Sequence, residues 1–161
     1  MARRQPRQNR IEPEDIDPVW GGWLAGLVDG EGYFMFRLDR KGIPKAKLEI
    51  NLRSDERAGL VEIKQTLGIG RIFTTTDRAI RWDVARLNDC LWLARFFELY
   101  PLRLKKARDF TIWAAAIRAW ANGAARNDLR AYATKIRAVR QFEAEPYVPT
   151  VAVSEQTPLG I

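Results

Sequence analysis

The sequence predicts an α+β fold: an αββαββα core with a four-stranded antiparallel sheet, followed by C-terminal helices. Two observations support this prediction. Two pairs of segments alternate apolar and polar residues, and a short turn joins the members of each pair, as in β-hairpins. Segments with apolar residues at helical spacing precede, separate and follow these hairpins. Helices of this kind cover one face of an antiparallel sheet and leave the other face open.

The first helix is predicted to begin after Asp17, whose side chain can cap it, with Pro18 in the first turn. The apolar run over residues 19–28 then supplies about three turns. Gly30 and Gly32 are predicted to end this helix, because glycine enters the left-handed region without steric cost.

Two features of this helix are unusual for a helix that only fills a core. Gly22, Gly26 and Gly30 recur every four residues and form a ridge without side chains, although each interior glycine costs roughly 1 kcal/mol against alanine. Such a ridge favours close approach of a second helix, so these glycines are predicted to form a dimer interface. Glu31 places an acid at the negative end of the helix dipole, where a cation is favoured. It is therefore well placed to meet a divalent metal ion.

The first hairpin is predicted over residues 33–40 and 45–52, and the second over residues 71–76 and 79–86. Their apolar residues alternate on the inner face, which includes Phe34, Phe36, Leu38, Leu48, Ile50, Leu52, Trp82 and Val84. The outward residues are Tyr33, Met35, Arg37, Asp39, Lys45, Lys47, Glu49, Asn51, Arg71, Phe73, Thr75, Arg81 and Asp83. Together with Lys41 and Arg53, they are predicted to bind DNA, since antiparallel strands with such side chains can read a groove. The alternative is an ordinary solvated sheet face.

The remaining helices are predicted from the residues that can cap or end them. Ser54 is predicted to cap the second helix and Gly68 to end it, and Asn88 or Asp89 to open the third. The third helix ends before Pro101, the fourth stops at residues 122–123, and the last covers about residues 128–142. We therefore predict a basic N-terminal arm (1–16), one domain (17–142) and a C-terminal tail (143–161). The arm is predicted to touch phosphates; a transit peptide is the alternative.

Composition restricts the chemistry. The 161 residues carry a formal net charge of +7 and a sequence pI near 9.9, which predicts a polyanionic partner. Histidine is absent and Cys90 is the only cysteine, so zinc sites built from Cys and His, histidine general bases and disulfides within the chain are excluded. Cys90 is predicted to lie in the core. Any metal would have oxygen ligands, which favours Mg²⁺. No run of residues is long and apolar enough to predict a membrane span.

The nine residues 24–32, LAGLVDGEG, resemble the signature of the LAGLIDADG homing endonucleases. Other features in the family's order are the step at residues 67–70, Trp82, and the stretch from Tyr100 through Lys105 and Lys106 to Phe110. The resemblance covers about residues 20–120. It implies the αββαββα core, DNA binding on the sheet, and cleavage of both strands with Mg²⁺ or Mn²⁺, whose site Ca²⁺ can also occupy. A single signature implies a homodimer that cuts across the minor groove of a nearly palindromic site.

The resemblance also assigns site residues. Glu31 and the Gly30 carbonyl would bind metal, Asp29 would make structural hydrogen bonds at the helix end, and Lys106 would be the active-site lysine, with Lys105 as the alternative. Leu52 stands where relatives often carry a glutamine that orders water. Either Asn51 or Arg53 substitutes for that glutamine, or the water network differs, or turnover is low.

Other functions remain open at this stage. A non-catalytic RNA maturase or DNA-binding regulator could use the same scaffold, and an unrelated basic RNA-binding protein is the third reading. No membrane and no small-molecule substrate are expected. The protein is expected inside the cell with the host DNA, in a bacterial or phage setting rather than in an organelle.

Overall fold

The structure, a computed structural model, describes residues 10–140. Its elements are α1 (Pro18–Glu31), β1 (Gly32–Leu38), β2 (Pro44–Arg53), α2 (Arg57–Leu67), β3 (Arg71–Thr76), β4 (Ala79–Val84), α3 (Leu87–Leu99), α4 (Lys106–Ala121) and α5 (Arg126–Ala138). This order confirms the predicted αββαββα core with helices after it. Among the described residues, no helix combines the length and apolar character that crossing a membrane requires.

The four strands form one antiparallel sheet in the order β1-β2-β4-β3. Its inner face carries Phe34, Leu48, Ile50 and Trp82, which are all fully buried beneath the helices. The outer face is built from the odd-numbered residues of β1, β2 and β4 and is covered by no helix along its middle. The predicted alternation is therefore confirmed, and a continuous outer surface crosses all four strands.

β1 is an edge strand, and side chains from α4 and from just beyond α5 bond to its main chain. The Trp113 indole N–H donates to the Met35 carbonyl at 3.1 Å, and the Arg140 guanidinium donates to the Phe34 carbonyl. The Phe34 ring packs against Trp113 at 5.1 Å between ring centroids, so α4 is held under this strand. A side-chain bond to a carbonyl at the free edge leaves less of that edge open to a foreign strand. α5 lies beside the same strand.

α1 begins as predicted but ends differently. The Asp17 carboxylate accepts a hydrogen bond from the Trp20 N–H at 2.9 Å, which confirms the cap. The helix continues through Gly30, and Gly32 has φ −73° and ψ 150°, so the predicted left-handed ending is wrong. Gly32 is needed for another reason: a Cβ there would lie 2.6 Å from the Val28 carbonyl oxygen. The chain passes directly from helix to strand, which only a residue without a side chain permits.

Two other predicted caps are also corrected. Ser54 makes no side-chain cap and instead opens a 3₁₀ turn before α2. Asp89 lies inside the first turn of α3, where it is buried and forms an ion pair with Arg10. The ending of α2 is confirmed, since Gly68 has φ 65°.

The segment 10–16, predicted to be part of the basic arm, packs against α3. The Trp92 indole N–H donates to the Ile11 carbonyl and the Tyr100 hydroxyl to the Ile16 carbonyl, each at 3.0 Å. Residues 10–16 therefore pack with the domain that was predicted to begin at residue 17. The last helix was predicted to reach about residue 142, but it ends at Ala138. The rest of the predicted arm (1–9) and the predicted tail (143–161) lie outside the described residues.

Cys90 lies in the core, as predicted. Burial raises the pKa of its thiol to about 12, and the neighbouring Asp89 charge adds to the effect. Since the thiolate is the reactive form of cysteine, this group is inert at neutral pH.

Candidate active site and nucleic-acid interface

The end of α1 places Glu31 next to the start of β1. Gly32 opens β1 and pairs with Ile50, so Glu31 stands one position before the paired strand begins, next to the β2 position of Asn51. Glu31 is exposed, and the odd-numbered residues of β1 that follow it point to the outer face. The carboxylate is thus exposed at the junction of α1 and β1.

The glycine ridge of α1 is open in the single chain. A Cβ added to Gly22, Gly26 or Gly30 would meet nothing within 4 Å, whereas one at Gly21 would lie 2.6 Å from the Tyr100 ring. Val19 beside the ridge is 82% exposed and Trp23 is 44% exposed. Because interior glycines weaken a helix, an uncovered ridge flanked by exposed apolar side chains indicates a surface that another molecule covers.

Asp29 joins α1 to the segment that precedes α4. Its carboxylate accepts the Arg103 N–H at 2.6 Å and the Leu104 N–H at 3.2 Å. The predicted structural role of Asp29 thus has a definite geometry, with bonds to another segment as well as a place at the helix end. The next residues along that segment are Lys105 and Lys106, so Asp29 holds the lysine-bearing turn against the end of α1.

We expect Asp29→Asn to loosen this turn. An amide offers one acceptor instead of two and points a donor at a main-chain N–H, so the free energy of unfolding should fall by roughly 1.5–3 kcal/mol. Chemical denaturation measures this loss. Asp55→Asn, which removes only an exposed ion pair with Arg53, is the control and should change stability by less than about 1 kcal/mol. Equal effects of the two substitutions would contradict the role of Asp29.

The two candidate lysines both lie at the start of α4. Lys106 is its first residue and is half-buried, and Lys105 immediately precedes it and is exposed. Both follow Leu104 directly in the sequence, and the Leu104 N–H donates to Asp29. The choice between them stays a prediction.

The outer sheet face carries paired charges. Glu49 lies 2.5 Å from Lys47 and 3.4 Å from Arg81, and Asp83 lies 3.3 Å from Arg71. Asp83 is in register with Arg71 and Glu49 and so occupies the predicted face, but it is only 4% exposed. Arg71 covers its carboxylate, which was not expected of a group predicted to contact DNA directly.

Three predicted DNA contacts lie outside the regular strands. A register shift between Thr74 and Thr76 puts Thr75 in a bulge, where its hydroxyl donates to the Ala79 carbonyl. Asp39 and Lys41 lie in the first hairpin turn rather than on the sheet. The main-chain N–H groups of Ile43 and then Lys41 hold the pKa of Asp39 below its usual value, so it serves as a turn acceptor. The other predicted contacts lie on the outer face: Tyr33, Met35, Arg37, Lys45, Lys47, Glu49, Asn51, Arg53, Arg71, Phe73, Arg81 and Asp83.

Leu52 cannot take the role of the water-ordering glutamine of relatives, because its apolar side chain lies on the inner side of β2. Of the two substitutes considered, Arg53 forms an ion pair with Asp55 at 2.6 Å. Asn51 faces outward at the level of Glu31, and its side-chain oxygen accepts from Arg81 at 3.1 Å. The geometry therefore favours Asn51 over Arg53 as the substitute for that glutamine.

The sequence reasoning missed Arg140 and the basic side of α5. The Arg140 guanidinium stacks over the Tyr33 ring at 4.4 Å from its centroid and donates to Asp109 at 3.1 Å. A contact between residues so distant in sequence has no local signal. The spacing of Arg126, Arg130 and Arg137 on one side of an amphipathic helix was visible, but nothing indicated that this helix borders the sheet.

The donors near Glu31 suit a hard cation but do not complete a site within one chain. Glu31 offers an exposed carboxylate, and Gly30 lies in the last turn of α1, where helix carbonyls lack intrahelical partners. Within residues 10–140, no group of three or more His, Cys, Asp or Glu is placed to hold a metal ion.

Comparison with known proteins gives a family match over residues 24–117, to a model described as LAGLIDADG endonuclease. The chain is 32% identical over 108 residues to the probable intron-encoded endonuclease 3 of Neurospora crassa, covering 62% of this chain and 20% of that protein. It is 33% identical over 89 residues to the intron-encoded DNA endonuclease ai2a of Dictyostelium discoideum, covering 54% of this chain and 27% of that protein. The chain thus spans about a quarter of the length of these relatives, or less.

Solved structures share the fold. The LAGLIDADG meganuclease I-AabMI, bound to uncleaved DNA, matches with a TM-score of 0.61 and 27% identity over 63% of this chain and 37% of that one. The homing endonuclease I-TnaI matches with a TM-score of 0.61 and 21% identity, over 81% of this chain and 86% of that one. At that identity, the second match shows the fold alone.

The relatives correct one prediction. They come from Neurospora and Dictyostelium, and a third, from Podospora anserina, is a protein in ND4 intron 1. The expected bacterial or phage setting is therefore wrong, and these intron-encoded relatives point to an organellar origin. Nothing in the composition of the chain distinguishes the two settings.

Proposed function

The chain belongs to the LAGLIDADG endonuclease family, and we propose that it is a site-specific endonuclease that cuts both strands of DNA as a homodimer with a divalent metal ion. One observation carries this proposal: Glu31 is exposed at the end of a helix whose glycine face is uncovered. A second copy packed on that face brings the two Glu31 carboxylates together beside the outer sheet surface. A two-fold assembly of this kind suits a nearly palindromic target.

The metal would lie at this junction. Glu31 and the Gly30 carbonyl of each copy would hold it, and DNA phosphates would provide further oxygens. Held by these groups, Mg²⁺ would supply the positive charge that stabilises an attacking hydroxide and the leaving oxygen of a phosphodiester. Mn²⁺ or Ca²⁺ is expected to occupy the same position.

The protein's own groups then orient the substrate. Asp29 fixes the turn that carries the lysines, and Lys106, with Lys105 as the alternative, contacts the scissile phosphate or the solvent beside it. Asn51, held by Arg81, is the polar group nearest to Glu31 in register and orders water there. The sheet surface between Tyr33 and Phe73 contacts the groove on either side of the cut.

The lysine assignment gives a direct prediction. Lys106→Met should lower the cleavage rate by about 10- to 150-fold, which corresponds to one charged contact of roughly 1.5–3 kcal/mol. Lys105→Met removes the same charge one residue earlier and should have a smaller effect. Single-turnover cleavage measures both variants. The reverse order of effects would transfer the role to Lys105.

The test of the function needs a target. Genes of this family usually interrupt their own recognition site, so the two DNA sequences that flank the gene should be joined and placed in a plasmid. We expect linearisation with Mg²⁺ and none with a chelator, and an unjoined flank is the control. Tight binding without cleavage under every metal condition would contradict the enzyme and favour a non-catalytic DNA binder or RNA maturase on the same scaffold.

A further inference from the structure

α5 lies along the free edge of the sheet. Its first residue, Arg126, lies beside the β1–β2 turn, since a Cβ added to Gly42 would be 3.0 Å from the Arg126 Nε atom. At its other end, Arg140 just beyond the helix stacks on Tyr33 near the start of β1. The helix therefore runs antiparallel to β1, from the hairpin turn back toward the end of the sheet that carries Glu31.

Three arginines share one side of this helix. At about 100° per residue, Arg126, Arg130 and Arg137 fall within about 40° of arc. Arg126 contacts the hairpin turn, so this side faces the sheet edge. We call these three residues the arginine row. All three are exposed, while Leu129, Ala133 and Ile136 hold the helix to the core.

The arginine row lacks the counter-ions that several cations of the sheet have. On the sheet, Lys47, Arg71 and Arg81 each lie within 4 Å of a carboxylate. Among residues 10–140, the ion pairs include no carboxylate for any member of the row. Arg40 and Lys41 at the adjoining turn add two exposed basic residues. Such a concentration of like charge beside an open surface is complementary to a polyanion.

We propose that the arginine row binds the phosphate backbone of duplex DNA, beyond the segment that the strands contact. This inference rests on the proposed DNA-binding function and extends it to a helix outside the sheet. Because Lys47, Arg71 and Arg81 on the sheet are paired with carboxylates, the row adds positive charge, unpaired within the described part of the chain, to the sequence-independent attraction. Arg140, which joins α5 to Tyr33, fixes the row relative to the surface that contacts bases.

The test is the salt dependence of binding to a mixed-sequence duplex. Each phosphate contact contributes a slope of about 0.9 in log K against log salt, so Arg126→Gln/Arg130→Gln/Arg137→Gln should lower the slope by about 2.7 per protomer. Between 50 and 200 mM salt, the wild type should then lose more affinity than this variant by about 40-fold for each bound protomer, or about 1,800-fold for a homodimer with both rows on the duplex. The control, Arg57→Gln/Lys64→Gln/Lys135→Gln, removes three cations from α2 and the opposite side of α5 and should keep most of the slope.

A second measurement locates the contact. Cys90 is buried and is the only cysteine, so a photo-crosslinker attached through a thiol will label only an introduced cysteine. Arg130→Cys should crosslink to the duplex, and Lys135→Cys, on the far side of the same helix, should not. Equal slopes for the two triple variants, or equal crosslinking from both positions, would overturn the proposal. Failure of the wild type itself to bind duplex DNA would instead overturn the proposed function.

Discussion

Glu31→Gln is expected to abolish cleavage and leave DNA affinity nearly unchanged. The amide keeps the size of the side chain but loses the charge that would hold a divalent metal, so the rate should fall by at least about 10³-fold. Affinity should change little, because the sheet face and the arginine row remain intact. Electrophoretic mobility shift with Ca²⁺ and single-turnover cleavage with Mg²⁺ measure the two properties separately.

A matched control is available on the same domain. Glu56 is exposed just before α2, and Glu56→Gln removes the same charge. It should cleave at the wild-type rate. If Glu31→Gln also cleaves at that rate, Glu31 has no part in the reaction. A joint loss of binding and cleavage would assign it to structure instead.

Much of the fold could be predicted from local pattern. Alternation places Phe34, Leu48 and Trp82 on the inner face whatever their partners are, and the buried face then fixes the register. Asp17 and Gly68 act through bonds or backbone angles within a few residues, so their predicted roles are confirmed. Such features depend only on neighbours along the chain.

Most of the errors arose where a contact between residues distant in sequence decides the structure. Asp89 has the residue type of a cap, yet Arg10 draws it into a buried ion pair. Asp83 was placed on the correct face, but its pairing with Arg71 was not visible in the sequence. Gly32 is an exception: it was predicted to end a helix by its freedom in the left-handed region, but the tight approach of Val28, four residues earlier, explains it instead.

The site, like the fold, was predictable only where it depends on residues close together in the sequence. The signature residues place Glu31, Gly30 and Asp29 at one helix end, where the structure also has them. The sequence could not show that Asp29 reaches the segment before Lys105, since 74 positions separate it from Arg103. It also could not show that α5 follows the edge of β1. The contribution of α5 to DNA binding therefore emerges only from the fold.

Gly26→Leu should separate the role of the glycine ridge from its effect on the helix. In the single chain a side chain at this position meets nothing, and leucine is a better helix former than glycine by roughly 0.8 kcal/mol. The monomer should thus be at least as stable as the wild type. In a two-fold interface, the leucine of each copy would overpack the contact and cost roughly 1–3 kcal/mol of association free energy. The dimer dissociation constant should therefore rise by at least about 30-fold.

Gly59 offers the matched control, because it also lies within a helix and a Cβ there also meets nothing within 4 Å. Gly59→Leu should raise helix stability without affecting association. The wild type and Gly59→Leu should show a melting temperature that rises with protein concentration, as a dimer requires, and Gly26→Leu should not. Sedimentation equilibrium gives the masses directly. If both substitutions behave alike, or the wild type sediments as a monomer at its highest soluble concentration, the ridge is not a dimer interface and the paired arrangement of Glu31 fails with it.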